Sequence, residues 1–208
     1  MSFLSNLRVR WQAYKTRRKM NRQFGRREDP FSYATTPYEA SRLEAMDASL
    51  GKGNLGTVLE VGCAEGHFTA KLTRRAGRVI AMDISEVALQ RARPRASAAF
   101  IEADLMTWDP GMFAPFDVIV IGDVLYYLDR PGVAAEFEEL FARIVSWLRP
   151  GGRLLLAHGY AGEKEFVHRR FFRERFERAG MALVSESTVA GASRGGVRCL
   201  LSVLRKIS

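Results

Sequence analysis

The sequence predicts an α/β protein with a Rossmann-like, doubly wound sheet of seven strands. Three observations carry this prediction. Short apolar runs alternate with helical patterns along the chain. The runs lack the polar alternation of half-exposed strands, which is typical of parallel strands buried on both faces. The last two runs are separated by a glycine-containing segment, 191–196, which indicates an antiparallel C-terminal hairpin strand.

The elements follow in this order. Thr36 and Pro37 form an N-cap and a first-turn proline, so a helix is expected from 37 to about 50. Ser85 caps a second helix, to about residue 93. Further helices are predicted at about 66–76, 133–148 and 162–179. Strands are predicted at 57–61, 78–82, 98–102, 116–121, 153–157, 181–189 and 197–205.

Composition and charge divide the chain in two. Its 208 residues, 47% hydrophobic, suit one domain with a small appendage. Residues 1–27 contain nine of the 32 basic residues and no acid, and the remaining 23 bases balance 23 acids over 28–208. We therefore expect a basic N-terminal arm and a formally neutral domain. The basic residues of the arm are Arg8, Arg10, Lys15, Arg17, Arg18, Lys19, Arg22, Arg26 and Arg27.

The arm is also amphipathic. Five apolar side chains fall on one helical face: Phe3, Leu4, Leu7, Trp11 and Tyr14. A basic amphipathic helix can lie on an anionic membrane or on nucleic acid. It can also pack on the body or on a partner protein, or stay disordered. No apolar run approaches the length of a membrane span, and Cys63 and Cys199 suggest neither a disulfide nor a zinc site. The expected location is cytoplasmic, with a peripheral place at a membrane surface as an option.

The segment 57–66 has the pattern of a nucleotide-cofactor site. An apolar strand ends near Glu60, and Gly62 and Gly66 bracket a tight turn before a helix. The acid suits a cationic or hydroxylated part of a ligand. S-adenosylmethionine carries an ammonium, a sulfonium and a ribose, and it lacks the pyrophosphate of a dinucleotide.

A polar residue lies at or just past the C-terminal end of each of the first five strands: Glu60, Asp83, Asp104, Asp123 and His158. In a parallel sheet these positions share the ligand-binding edge. Asp83 is expected to accept hydrogen bonds from the ribose, and Asp104 from the adenine amine. The predicted cofactor site comprises Tyr38, Arg42, Glu60, Gly62, Cys63, Gly66, Asp83, Ile84, Asp104, Leu105, Met106 and Asp123.

The predicted catalytic residues are His158, Asp123, His168 and Tyr127. A hydroxyl acceptor needs a general base, for which His158 is the natural candidate, and His168 is a second base or a substrate contact. An amine acceptor needs orientation more than a base, which gives greater weight to Asp123 or Tyr127.

Several of these motifs resemble class I S-adenosylmethionine-dependent methyltransferases over residues 37–205. They are the glycine turn 60–66, Asp83, Asp104, the strand 116–119, the Pro-Gly-Gly turn at 150–152 and the closing hairpin. The resemblance implies the class I methyltransferase fold for 28–208. It also implies S-adenosyl-L-methionine as cofactor and S-adenosyl-L-homocysteine as product.

A narrower resemblance is to the nodulation protein S group, which methylates sugars or amino sugars. It rests on 29–31, 38–39, 59–63, 123–128, His158 and His168. This chain departs from the group's pattern at three positions. It has Phe31 where the group usually has tryptophan, Asp123 where the group commonly has glutamate, and Ala64 as the third small residue of the glycine turn. The resemblance implies methyl transfer to a hydroxyl or amine of a saccharide or another small-molecule acceptor. A divalent metal ion stays an open option without a motif.

Three alternatives remain. A nicotinamide oxidoreductase is disfavoured because the turn lacks Gly-x-Gly-x-x-Gly spacing. A nucleic-acid methyltransferase guided by the arm is disfavoured because the strand 116–121 is not followed by the usual Asn/Asp-Pro-Pro-Tyr/Phe motif. The third is a non-catalytic cofactor-fold binding module, against which the acidic edge argues.

Overall fold

A computed structural model of the chain describes residues 3–190 and 196–207, with side chains from residue 5 onward. The side chains of Phe3 and Leu4 and most of the predicted hairpin loop, 191–195, lie outside this description. The sheet has seven strands: β1 (Thr57–Val61), β2 (Arg78–Asp83), β3 (Ala99–Glu102), β4 (Phe116–Gly122), β5 (Leu148–Tyr160), β6 (Met181–Ala190) and β7 (Arg198–Lys206). Their spatial order is β3-β2-β1-β4-β5-β7-β6.

Strands β1 to β5 are parallel, and β7 lies antiparallel between β5 and β6. The predicted fold class is therefore confirmed. Residues pointing to opposite faces of β1 both lie in hydrophobic clusters. Leu59 packs with Ile119 on one side, and Val58 packs with Val118 on the other. Burial on both faces explains why the strands read as continuous apolar runs.

The helices are α1 (Phe3–Arg26), α2 (Pro37–Ser49), α3 (Thr69–Leu72), α4 (Glu86–Ala92), α5 (Leu125–Leu128), α6 (Ala134–Trp147) and α7 (Glu163–Arg178). Two caps agree with the sequence, since Thr36 accepts from Glu39 N and Ser85 accepts from Ala88 N. The regular part of the helix predicted at 66–76 is only α3. Some of its amides bond to the third preceding carbonyl, as Lys71 N does to Phe68 O and Arg74 N to Lys71 O, and these bonds interrupt the α-helical ladder.

β5 begins earlier than predicted. Its partner register with β4 jumps from Phe116–Leu148 to Val118–Arg153, so the Pro-Gly-Gly segment forms a bulge within the strand. Gly151 lies within this bulge at φ +71°, a left-handed conformation that glycine adopts at little cost.

The arm forms one long helix, α1, whose inner face packs on the body. Val9, Met20 and Phe24 are buried on this face. The predicted apolar stripe points outward instead, with Trp11 60% exposed. Its other described members are also exposed, so the stripe predicted from periodicity is not the packing face. Among the described residues, no helix has the length and hydropathy of a membrane span.

Candidate cofactor and acceptor site

The carboxyl ends of β1 to β4 border a cavity, and Thr16, Met20 and Phe24 of α1 line its opposite wall. Eight predicted site residues line this cavity: Arg42, Gly62, Asp83, Ile84, Asp104, Leu105, Asp123 and Tyr127. A smaller pocket adjoins it and is lined by Glu60, Cys63 and again by Arg42 and Gly62. The edge of the sheet therefore brings together most of the residues that the sequence singled out.

The glycine turn allows the backbone to approach its neighbours closely. Gly62 has φ +79°, and a Cβ at this position would lie 2.3 Å from Val124 Cγ2. A Cβ on Gly66, also at φ +79°, would lie 3.0 Å from Ala92 Cβ. Any larger residue at Gly62 would therefore collide with the loop after β4 and strain the backbone.

Asp83 ends β2 and is fixed by backbone donors. Ala64 N donates to Asp83 Oδ2 over 3.0 Å, and Ser85 N donates to Oδ1 over 2.9 Å. Burial raises the pKa of the Asp83 carboxyl, and these backbone bonds lower it in part. Each carboxylate oxygen has a further lone pair, so the residue retains acceptor capacity toward the cavity that it lines.

Asp104 has an unsatisfied oxygen. Met106 N donates to its Oδ1 over 3.2 Å, whereas Oδ2 is buried without a partner. A buried acceptor of this kind calls for a donor, since leaving it unpaired costs about 1–3 kcal/mol. An adenine amine is a suitable donor, and Leu105 lines the same part of the cavity. This orphaned oxygen and the glycine turn fit an adenosyl cofactor.

Glu60 lies in the smaller pocket. Thr69 Oγ1 donates to its Oε2 over 2.6 Å. Burial raises the pKa of the Glu60 carboxyl to about 7, with a further contribution from the charge of Asp83. A cation bound in this pocket would stabilise the ionised form of Glu60.

Arg42 links two carboxylates at the cavity wall. Its Nη1 lies 3.0 Å from Glu39 Oε2, and its Nη2 lies 2.5 Å from Asp123 Oδ2. Asp123 Oδ1 in turn accepts from Gly159 N over 2.7 Å. Asp123 has φ +54°, a conformation that aspartate tolerates better than most residues. With both carboxyls ionised, the three side chains carry one net negative charge.

Aromatic side chains complete the wall. Tyr33, Tyr126 and Tyr127 line the cavity, and the rings of the last two are 4.6 Å apart. Burial raises the pKa of all three phenols, so each is neutral at physiological pH. The guanidinium of Arg169, a residue of α7, lies 4.2 Å from the centre of the Tyr126 ring.

His158 lies behind this wall. It is 1% exposed, does not line the cavity, and neither ring nitrogen has a partner. Its ring packs against Tyr126, with centroids 6.3 Å apart, and against Phe172 at 5.5 Å. Burial lowers the pKa of His158 to about 4, against the opposing effect of Asp123. The imidazole is therefore neutral and screened from the cavity.

His168 is also outside the cavity. Its Nε2 lies 2.7 Å from Asp129 Oδ2, and Arg169 Nη1 lies 2.7 Å from its Nδ1. Since arginine can only donate, Nδ1 accepts this bond and Nε2 carries the proton. In this arrangement His168 positions Arg169.

Three predicted cofactor residues also lie away from the cavity. Tyr38 is buried in the hydrophobic cluster beneath α2, and Gly66 packs on Ala92. Met106 belongs to the core and to a small cleft under α1. Other lining residues escaped the prediction of the site: Thr16, Met20, Phe24, Phe31, Tyr33, Glu39 and Val124. A second helical stripe in the arm, through Met20 and Phe24, was the available signal for two of them.

One group of three metal-ligand side chains occurs within the described residues: Asp29, Glu65 and His67, with ligand atoms within 4.8 Å of one another. Asp29 already accepts from two backbone amides, and Glu65 pairs with Arg91 over 2.6 Å. Their acceptor atoms are thus engaged within the protein, and a metal role is not assigned.

The sheet order, the glycine turn and the acidic edge define a class I S-adenosylmethionine-dependent methyltransferase. The family model described as "Nodulation protein S (NodS)" matches residues 15–187. The chain therefore belongs to the nodulation protein S family.

The family's relatives show how far this likeness extends. Nodulation protein S of Rhizobium tropici is 33% identical over 133 residues, which span 62% of this chain and 54% of that protein. The crystal structure of N-methyltransferase NodS from Bradyrhizobium japonicum WM9 with S-adenosyl-L-homocysteine is 25% identical, with a TM-score of 0.79. The structural match covers 93% of this chain and 99% of the chain in that crystal structure. A second crystal structure of that enzyme has a TM-score of 0.70 at 25% identity, over 83% of this chain and 98% of the enzyme's chain.

Proposed function

We propose that the chain transfers the methyl group of S-adenosylmethionine to an amine nitrogen of a small acceptor. The observation that carries this proposal is the position of His158, which is buried behind Tyr126 with a pKa of about 4. A hydroxyl acceptor needs a base within hydrogen-bond reach. Among the described residues, no histidine lines the cavity, and His67 lines only the adjoining pocket beside Glu60. A neutral amine needs no base before it attacks.

The net negative charge of the three side chains Glu39, Arg42 and Asp123 supports the same acceptor. Bound S-adenosylmethionine would supply an electrophilic methyl group. As the carbon–nitrogen bond forms, the carbon–sulfur bond breaks with its electron pair on sulfur, and the positive charge passes from sulfur to the attacking nitrogen. Asp123 and Glu39 then stabilise this charge, since together they exceed the charge of Arg42 by one. The electron-rich rings of Tyr126 and Tyr127 act in the same direction. The developing ammonium releases its proton to water after transfer.

An amino sugar is the acceptor class that we propose first. The relative from Bradyrhizobium japonicum is an N-methyltransferase, and the sequence resembles a group that methylates sugars or amino sugars. The cavity offers neutral phenols at Tyr33, Tyr126 and Tyr127, each able to donate to and accept from a sugar hydroxyl. The amine would be oriented toward Asp123.

A matched set of acceptors tests this proposal. The full chain is incubated with S-adenosylmethionine and one acceptor, which is glucosamine, glucose, N-acetylglucosamine or a short oligomer of one of these sugars. The release of S-adenosylhomocysteine is then measured. We expect turnover with the free amines alone, rising with pH as the amine loses its proton. Mass spectrometry of the product locates the new methyl group. Equal turnover with glucose, or a methyl group on oxygen, would overturn the assignment to nitrogen.

A further inference from the structure

We propose that the outer face of α1 is a docking surface for an anionic phospholipid membrane. The face is defined by Leu7, Trp11 and Tyr14, whose exposed fractions are 48%, 60% and 50%. Their spacing of four and three residues puts them side by side on the helix. The rings of Trp11 and Tyr14 stack with centroids 5.6 Å apart. The helix therefore presents a continuous apolar strip to solvent.

Basic side chains surround this strip. Arg8, Arg10 and Lys15 are exposed beside it, and Arg18 and Arg22 extend the same face by one and two turns beyond Tyr14. Residues 1–27 contain no acid. An apolar strip with a basic border matches the boundary between anionic headgroups and acyl chains, where tryptophan and tyrosine are favoured.

The packing of α1 leaves this face free for a partner. The opposite face is already used, because Val9, Met20 and Phe24 are buried against the body. The apolar residues of the outer strip therefore take no part in the contacts that hold α1 on the body. Exposure of three large side chains in one strip is typical of an interaction site rather than of scattered surface residues.

Charge decides between a membrane and a second copy of this chain. Two identical outer faces would place two acid-free basic helices against each other, which repels them. A nucleic acid would satisfy the bases, but it offers no apolar layer for Leu7. An anionic bilayer satisfies the charges and the apolar strip together. This inference is independent of which acceptor is methylated.

Vesicle sedimentation of the full chain tests the proposal. The vesicles contain phosphatidylcholine alone or an equal mixture with phosphatidylglycerol. We expect binding to the mixed vesicles and a blue shift of tryptophan emission that Trp11→Ser abolishes. The double variant Leu7→Ser/Trp11→Ser should weaken vesicle binding about tenfold or more. Thermal unfolding and binding of S-adenosylhomocysteine check that this variant is folded.

Two matched controls separate the apolar and the electrostatic parts. Leu183→Ser/Val184→Ser removes two exposed apolar side chains from β6 and should leave vesicle binding unchanged. Arg18→Gln/Arg22→Gln should weaken binding, whereas Lys52→Gln/Arg74→Gln, which removes the same charge from exposed body positions, should not. Equal binding to neutral vesicles, unchanged binding by the Leu7/Trp11 variant, or tighter binding of an RNA oligonucleotide through the same residues would overturn the proposal.

Discussion

Arg42 Nη2 lies 2.5 Å from Asp123 Oδ2 and thereby ties α2 to the residue that follows β4. The arginine side chain is only 5% exposed, so water screens this pair weakly. Since Asp123 also accepts from Gly159 N, one carboxylate holds α2 and the ends of β4 and β5 in register. Asp123 therefore links three elements of the fold and also lines the cavity.

Asp123→Asn should therefore lower the free energy of unfolding by roughly 2–4 kcal/mol, because it leaves a buried guanidinium with one charged partner instead of two. Urea denaturation followed by circular dichroism measures this change. As a control, Glu86→Gln removes the carboxylate from the more exposed Glu86–Arg93 ion pair. This substitution should change the free energy of unfolding by less than about 0.5 kcal/mol. Equal effects of the two substitutions would show that the Arg42 pair is not stabilising.

Asp104→Asn should weaken S-adenosylhomocysteine binding about tenfold or more. The substitution keeps the shape of the side chain but can place an amide donor where the buried Oδ2 now lies. Two donors would then face each other if the adenine amine binds there. Calorimetry gives the dissociation constant, and Asp109→Asn, on an exposed loop acid, should leave it unchanged.

The analogue S-inosylhomocysteine makes this test sharper, since it carries a carbonyl in place of the adenine amine. We expect it to bind the Asp104→Asn variant more tightly than the wild-type chain, which is the reverse of the order for S-adenosylhomocysteine. The same preference for both ligands would place the adenine elsewhere.

The fold and the binding edge could be predicted from the sequence because their signals are local. An apolar strand, Gly62 and an acid at the next strand end each report their own position in a parallel sheet. The packing face of α1 is different, since the stripes through Trp11 and through Phe24 have the same helical spacing. Only contact with the body selects between them, and this depends on residues far away in the sequence.

His158 shows a second limit of sequence prediction. Its place at the end of β5 correctly puts it near the carboxyl edge of the sheet. Successive side chains of a strand point to opposite faces, and the sequence does not say which one faces a cavity. The structure buries the imidazole beside Phe172 and behind Tyr126. Its predicted role as a base is thus unsupported by the geometry.

The lowered pKa of His158 predicts a stability that depends on pH. The pKa is about 4 in the folded chain and about 6.5 when unfolded, so the unfolded state binds more protons between these values. Its contribution to stability is complete above pH 6.5 and is lost as pH falls toward about 4, by roughly 3 kcal/mol in all. Urea denaturation at a series of pH values measures it.

The variant His158→Phe isolates this effect from other groups. Glu60, whose pKa burial raises to about 7, acts in the opposite direction and contributes stability that declines as pH rises from about 4.5 to about 7. Subtracting the unfolding free energy of the variant from that of the wild-type chain removes the Glu60 contribution. A difference curve that stays flat from pH 7 to 4 would contradict the assigned pKa.

Arg169→Lys should lower kcat about tenfold and leave S-adenosylhomocysteine affinity nearly unchanged. The guanidinium stacks on Tyr126, and its Nε donates to Gly159 O over 3.0 Å. Lysine keeps the charge but lacks the planar fork that makes both contacts. Tyr126 would then be less well positioned against the acceptor. Arg170→Lys, at the neighbouring exposed position, is the matched control and should retain full turnover.

The inner and outer faces of α1 should separate two functions. Phe24 is 2% exposed and lines the cavity, so Phe24→Ala should raise the dissociation constant of S-adenosylhomocysteine about tenfold. Trp11→Ala removes a large side chain from the outer face of the same helix and should leave cofactor affinity unchanged while weakening vesicle binding. Calorimetry and vesicle sedimentation on both variants give a two-by-two comparison. If Trp11→Ala weakened cofactor binding as much as Phe24→Ala, the two faces would act as one unit, and helix stability rather than direct contact would govern the cavity.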